Sequence, residues 1–353
     1  MILKNIFPFL FASLFTMVYV AGCNVSDSAE NKTETPVAFV SIPESYPYQV
    51  DSGNILFNNE PWLRHGVNAM NTFGPGNPEE MTSWNIGIVR EFIGNLREQP
   101  VTGAPVQASN GAWLHPLQAI VDRNKSQNLV TILSPFGWVD NSGEQTLFTG
   151  LNPSEQPFYD SYKEKMRELA QHFKNQPNVW IHVWNEPYHY NDQNGYTHER
   201  WLADHIDMVN NLRSVEGFYN MIVVQGNGQG QSEQAVLSKG TELMSAQGNI
   251  IFDLHAYEKW LIGSTVNTIS SRISALKNNG FAFMFGEVGV VNSTGLMPVQ
   301  PFLDALFQEN IPALGWLWVR NPDYQNALLD ENGNPNNRDN NDWGSTFKSF
   351  LNR

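Results

Sequence analysis

The stretch NVWIHVWNEPYHY, residues 178–190, decides how this chain is read. From Val179 to Trp184 it is a run of β-branched and aromatic residues with one histidine, the composition of a strand covered on both faces. It ends in a carboxamide and a carboxylate, Asn185 and Glu186, followed by a proline, where Gly, Asn or Ser would be the ordinary turn chemistry. A polar pair closing a buried strand suits a ligand at that strand end, and a second carboxylate in an equivalent place would make it a catalytic pair.

Working outward, seven more apolar runs share the pattern: WLRHGVN from Trp62, NIGIVRE from Asn85, NLVTIL from Asn128, NMIVVQ from Asn220, NIIFDL from Asn249, FAFMFG from Phe281 and IPALGWLW from Ile311. Helical spacing lies between several of them. Tyr159, Tyr162, Met166, Leu169 and Phe173 fall on one helix face, as do Val266, Ile269, Ile273 and Leu276, whose segment stops at NNG. Continuous apolar runs alternating with helices predict a parallel sheet, and eight such units predict a single (β/α)8 TIM barrel over residues 49–353. An open doubly wound sheet is the competing fold. It would need a glycine-rich phosphate loop after the first strand, and none is there. The GNGQG at residues 226–230 follows the fifth run and reads as turn chemistry. A long loop, residues 94–113, follows the second run and is positioned to shape a cleft.

In a barrel the chemistry gathers at the C-terminal ends of the strands. Those ends carry Arg90 on strand two, Asn185 and Glu186 on strand four, His255 and Tyr257 on strand six, Glu287 on strand seven, and Trp316 and Trp318 on strand eight. The two glutamates sit on opposite sides of the mouth. Arg90 also fits a structural ion pair, and His255 a buried core histidine. His182 and His189 read as structural or exposed.

With those residues in place, the chain resembles the glycoside hydrolases of clan A, family 5, the cellulase and mannanase family. The resemblance runs from about residue 53 to the end. It rests on ILFNNEPWLRHGVN, Val89-Arg90, the NEP at residues 185–187, the HAY at 255–257, Gly286-Glu287 and the tryptophans of strand eight. It implies Glu186 as general acid/base and Glu287 as nucleophile, Asn185 on the sugar 2-hydroxyl, Tyr257 bonded to Glu287, and His255 lining the site. Arg90 is expected to depress the Glu287 carboxyl, and Trp184 and Tyr188 to give Glu186 apolar flanks. One of Trp316 and Trp318 should stack on a sugar and the other face the helices; the reading assigns Trp318 to the sugar. Trp138, in SPFGWVD, is a second candidate platform. Family members often carry a histidine after strand three, where this chain has Ser134, Pro135 and Phe136. The implied activity is a retaining, endo-acting β-glycosidase on a β-1,4-linked polysaccharide. The strand-eight ending GWLWVRN and the later NDWGSTF favour mannan over glucan. The rival reading is a catalytically inactive glycan-binding lipoprotein that keeps the barrel; retention of both glutamates speaks against it.

Composition fits a carbohydrate partner. Among 353 residues, 21 basic against 35 acidic give a net charge of -14, which disfavours nucleic acid and anionic membrane surfaces. Eleven tryptophans supply core filling or sugar platforms. Lys4, the apolar run from Ile6 to Val20 and the VAGC ending at Cys23 form a signal layout, residues 1–22, that resembles a bacterial lipoprotein's. Lipidated Cys23 would begin a flexible Ser-, Glu- and Pro-rich tether, residues 23–48, holding the enzyme at the cell envelope, in an outer membrane by the Asn24 that follows; the alternative is a soluble secreted protein in which Cys23 is incidental. Cys23 is the single cysteine, and no cofactor, metal or second subunit is expected. Each buried CH₂ of an anchor adds about 0.8 kcal/mol. Cys23→Ala is therefore expected to move the protein from membrane to soluble fractions in fractionated cells; wild-type protein already fully soluble would contradict the anchor.

Overall fold

The computed structural model describes residues 38–74, 76–338 and 341–353. The signal segment, Cys23 and most of the expected tether lie outside the described residues. Eight parallel strands close into a barrel in chain order: β1 (Gly66–Ala69), β2 (Ile88–Ile93), β3 (Val130–Pro135), β4 (Val179–His182), β5 (Ile222–Gln225), β6 (Ile250–Ala256), β7 (Phe283–Val288) and β8 (Ala313–Gly315), with β8 pairing back onto β1. Helices follow the strands: α1 (Pro78–Thr82), α2 (Leu117–Ser126), α3 (Tyr159–Phe173), α4 (His198–Arg213), α5 (Gln234–Ala246), α6 (Val266–Asn278), α7 (Gln300–Glu309) and α8 (Trp343–Leu351). The eight apolar runs are the eight strands. The predicted helix faces are also the buried ones, with Tyr162, Met166, Leu169 and Phe173 inward on α3 and Ile269, Ile273 and Leu276 inward on α6.

The asparagines that open several of these runs have a local cause. Asn85, Asn128, Asn249 and Asn310 all adopt left-handed backbone, φ 61°, 58°, 59° and 53°, where the chain turns from a helix or short loop toward the next strand. Asparagine tolerates that conformation better than residues with bulkier side chains.

Side chains alternate along the strands. On β2, Ile88 points into the barrel with Val130, Ile132, Trp180, Val223, Ile251, Met284 and Leu314, while Val89 and Ile93 face the helix layer. This apolar interior is closed at its N-terminal end by a small antiparallel sheet of Tyr48–Asp51, Asn54–Phe57 and Glu60–Pro61. Tyr48 and Trp62 each pack edge-on against Trp180, at 5.7 Å between ring centres. Asn249 ties this plug to the barrel, accepting from the Val50 amide at 2.9 Å and donating to the Tyr48 carbonyl at 3.0 Å. The bottom is therefore filled, which leaves the C-terminal mouth for chemistry.

The expected tether ends earlier than residue 48. The Val40 amide donates to Gln247 Oε1 at 2.9 Å and the Tyr46 hydroxyl to Asn220 Oδ1 at 2.8 Å, so residues 38–48 are bound to the barrel. Tyr, Pro and Ile in this stretch give it enough apolar and hydrogen-bonding surface to dock.

One irregularity matters for the mouth. Between β6 and β7 the register moves from Leu254 opposite Phe285 to His255 opposite Glu287, so Gly286 is an extra residue, a bulge. A Cβ on Gly286 would lie 2.2 Å from an Asp253 carboxylate oxygen, and the Gly286 amide donates to that carboxylate at 2.6 Å. Only glycine fits there. Met284 faces inward, and strict alternation would send Glu287 outward; the bulge turns it into the barrel.

Candidate active site

The site is assembled around Arg90 in the middle of β2. Its Nη1 donates to Glu287 Oε1 at 2.8 Å and to Asn68 Oδ1 at 2.9 Å, and its Nη2 donates to Asn185 Oδ1 and lies 3.1 Å from His182 Nδ1. The guanidinium rests over the Phe136 ring at 5.1 Å. Asn68, on β1, uses its amide to donate to the Gly286 carbonyl at 2.8 Å. The arginine thus fixes Glu287 and Asn185 at once. The ion-pair reading and the functional reading of Arg90 describe the same contact.

Tyr257 donates to the other Glu287 oxygen at 2.9 Å. His255 Nδ1 lies 2.9 Å from Glu186 Oε1 and 3.5 Å from Glu287 Oε2, so the imidazole stands between the two carboxylates. Thr149 donates to Glu186 Oε2 at 3.4 Å. Oxygens of both glutamates and a ring nitrogen of His255 all lie within 4.8 Å of one another. The two carboxylates differ in exposure: the Glu186 side chain is 20% exposed and that of Glu287 3%.

Electrostatics divides the cluster. Burial pushes the Glu287 carboxyl above its ordinary range and the neighbouring Glu186 adds to that push, while His255, Arg90 and Tyr257 pull it down. The sequence reading had Arg90 depressing Glu287 outright. At full burial Arg90 is instead a counterweight to desolvation. His255 is buried, which alone would lower it, but the charge of Glu287 and the carboxylates of Asp253 and Glu186, as acceptors for the ring, raise it to about 9. The imidazole and the two carboxylates therefore form one coupled acid–base cluster. Burial pushes the Tyr257 hydroxyl well up, and the charges of Glu287 and Glu186 add to this, so it stays a donor.

Sequence reasoning left His182 out of the site. It projects from β4 into the barrel and meets Ser134 Oγ at 2.9 Å as well as Arg90. Burial, with Arg90 beside it, drives its pKa well down. Arginine can only donate, so Nδ1 accepts and the ring proton sits on Nε2, 3.7 Å from Asp253 Oδ2. The signal was available: His182 is two residues beyond the inward-facing Trp180 on one strand. Ser134, on β3, is the hydroxyl that meets it.

Three expectations are corrected. Trp318 does not face the mouth; it packs edge-on against Trp84 at 5.0 Å within the core shared with the helices. Trp316 takes that place, in a cluster with Phe92 and Phe136, its Nε1 donating to the Tyr324 hydroxyl at 2.7 Å. The Trp316 ring lies 6.0 Å from that of Phe136, the ring on which the Arg90 guanidinium rests, and burial pushes the Tyr324 hydroxyl up to about 12. Trp138 is no sugar platform: its strand segment Gly137–Val139 pairs with Gln145–Leu147 and stacks the indole on Phe158 at 5.4 Å. Trp184 and Tyr188 turn away from Glu186 into the helix layer. Trp184 packs on His205 at 5.1 Å, and Tyr188 donates to Asp204 at 3.2 Å.

A closed (β/α)8 barrel with two glutamates facing across its mouth, one from the end of β4 and one from a bulge on β7, defines an acid–base class of barrel protein. The chain belongs to glycosyl hydrolase family 5, whose cellulase model matches residues 75–322. It is 24% identical over 254 residues to a mannan endo-1,4-beta-mannosidase of Cellvibrio japonicus, a match covering 70% of this chain and 55% of that protein. A mannan endo-1,4-beta-mannosidase of Salipaludibacillus agaradhaerens is 27% identical over 123 residues, 34% of this chain and 39% of the relative. The chain thus spans about half the length, or less, of these curated relatives. Among solved structures, the catalytic domain of a mannanase from Streptomyces sp. SirexAA-E superposes with a TM-score of 0.64 at 19% identity, covering 93% of this chain and 95% of that one. The catalytic domain of a Thermobifida fusca endoglucanase gives 0.61 at 15% identity, covering 88% and 98%. At these identities the superpositions show the fold.

The two tryptophans can be separated by measurement. Trp318→Ala removes a packed core side chain and is expected to lower the unfolding free energy by about 3–5 kcal/mol in denaturant titrations. Trp316→Ala is expected to reduce kcat/KM on soluble β-glycans far more than it reduces stability. Equal losses of activity in the two variants would contradict this placement.

Proposed function

We propose that the protein is a retaining β-glycoside hydrolase that cuts within β-1,4-linked polysaccharide, mannan in preference to glucan. One observation carries the mechanism: oxygens of Glu186 and Glu287 within 4.8 Å of each other. Retaining glycosidases hold their carboxyl groups about 5–5.5 Å apart, whereas inverting enzymes need roughly 6.5–9.5 Å to admit a water. Glu287 is fixed by Arg90 and Tyr257 as the nucleophile. Glu186, more exposed and bonded to His255, gives its proton to the leaving glycosidic oxygen and then takes one from the incoming water. Arg90 occupies the Asn185 carbonyl oxygen, which leaves the amide NH₂ to donate to the sugar 2-hydroxyl. Trp316 offers a ring face at the mouth. Support for mannan comes from the names of the curated relatives and from the sequence endings GWLWVRN and NDWGSTF. The proposal includes a lipid anchor at Cys23 that keeps the enzyme at the envelope.

Two azide experiments assign the roles. Glu287→Ala leaves room for a small anion, so azide is expected to restore turnover of an activated aryl β-glycoside and give the α-glycosyl azide. Glu186→Ala is expected to give the β-glycosyl azide, because the intermediate still forms with a good leaving group. Proton NMR distinguishes the two products; swapped anomers would reverse the assignment. Initial rates on mannan, glucan and xylan are expected to be highest on mannan, and no hydrolysis of any β-glycan would favour the inactive glycan-binding reading.

A further inference from the structure

The turn that carries Glu186 is strained and is held from an unexpected side. Glu186 and Tyr188 both have left-handed backbone, φ 50° and 66°, which side chains of this size rarely adopt unless their surroundings impose it. The imposing contacts come mainly from the end of β5 and the loop after it. Gln225, the last residue of β5 and fully buried, accepts the Glu186 backbone amide on its side-chain oxygen. The Gln229 amide donates to the Pro187 and Tyr188 carbonyls at 3.2 and 3.1 Å. From the other flank, Gly150 donates to the Glu186 carbonyl at 2.8 Å.

Here the GNGQG motif, which the fold reading left as plain turn chemistry, acquires a purpose. Gly230 has φ 73°, and a Cβ there would lie 2.5 Å from Gln225 Nε2 and 3.1 Å from His255 Cγ. Its carbonyl accepts the His255 amide at 2.8 Å. The loop therefore lies flat on the Gln225 carboxamide and the His255 backbone together, and a larger residue would displace one or the other. Gln225 is shut off from solvent, so it acts through Glu186.

We propose that Gln225, clamped by the glycine loop at residues 226–230, is the positioning residue that aims the Glu186 carboxyl at the leaving-group oxygen. This rests on the reading of Glu186 as the proton donor. A misaimed acid matters in proportion to how much the leaving group needs a proton, whereas general loosening of the barrel slows every substrate alike.

The test is kcat/KM on a series of aryl β-glycosides running from phenyl to dinitrophenyl leaving groups, with melting temperature recorded for each variant. Gln225→Leu keeps the bulk and removes the acceptor. It is expected to lose about a hundredfold on the phenyl glycoside, the scale of a 1 Å misplacement, and to stay within about threefold of wild type on the dinitrophenyl glycoside, where no proton is needed. Gly230→Ala pushes on the same carboxamide and is expected to steepen the dependence in the same direction; it carries the test if Gln225→Leu does not fold. Uniform loss across the series in the folded variant, or no loss, would overturn the proposal. Glu186→Ala is the control. If it shows no extra loss on poor leaving groups, the assignment of Glu186 as acid has failed. If it does while Gln225→Leu and Gly230→Ala stay parallel to wild type, the role of Gln225 has failed.

Discussion

A single buried cation organises the mouth of this barrel. Arg90 is fully enclosed, and a guanidinium removed from water is tolerated only where charges and hydrogen-bond acceptors surround it. The barrel supplies these from several strands: Glu287 from β7, Asn68 from β1, Asn185 just past β4, and Asp253 from β6 with its carboxylate 3.8 Å from Nε. Each partner is also a site residue or holds one. Asp253 anchors the Gly286 amide, and so the bulge that aims Glu287; Asn68 bonds the carbonyl of the same glycine. Satisfying one charge therefore sets the positions of both Glu287 and Asn185.

The two glutamates owe their different environments to this arrangement. Glu287 lies against the cation and the Tyr257 hydroxyl, almost without exposure, while Glu186 stands on a strained turn nearer solvent with His255 as its link to the interior. The buried imidazole, with Nδ1 bonded to Glu186 and Nε2 3.5 Å from the Asp253 carboxylate, links Glu186 to the buried layer. The floor of the barrel contributes by being closed. Trp180, Trp62 and Tyr48 pack edge-on there, away from the end of the barrel that carries the carboxylates.

Much of this was legible in the chain because it follows short periods. Apolar runs alternating with helical spacing gave the eight strands and the order of the barrel, and reading only the strand ends was enough to find Glu186, Glu287, Arg90, Asn185, His255 and Tyr257. What escaped lies where periodicity stops. β8 ends at Gly315, so strand alternation says nothing about Trp316 and Trp318, and the chain turns the second of them into the helix layer. Trp138 is swung away by a two-strand hairpin formed with residues nine or fewer positions later, a pairing that leaves no apolar rhythm. His182 was passed over because a histidine within an apolar run looks like core filling. Its role depends on Ser134 and Arg90 arriving from two other strands. The inward aim of Glu287 likewise required a bulge, and a Gly-Glu pair by itself does not announce one.

The central claim is that Glu186 and Glu287 are paired closely enough for attack and protonation by two side chains. Proton NMR of the hydrolysis of an oligosaccharide substrate, followed within the first moments before mutarotation, tests it most directly. The account predicts that the β-anomer of the newly formed reducing end appears first and the α-anomer grows in later at the rate of mutarotation. The α-anomer appearing first would mean a single inversion by water, the outcome of carboxyl groups roughly 6.5–9.5 Å apart, and would contradict the claim.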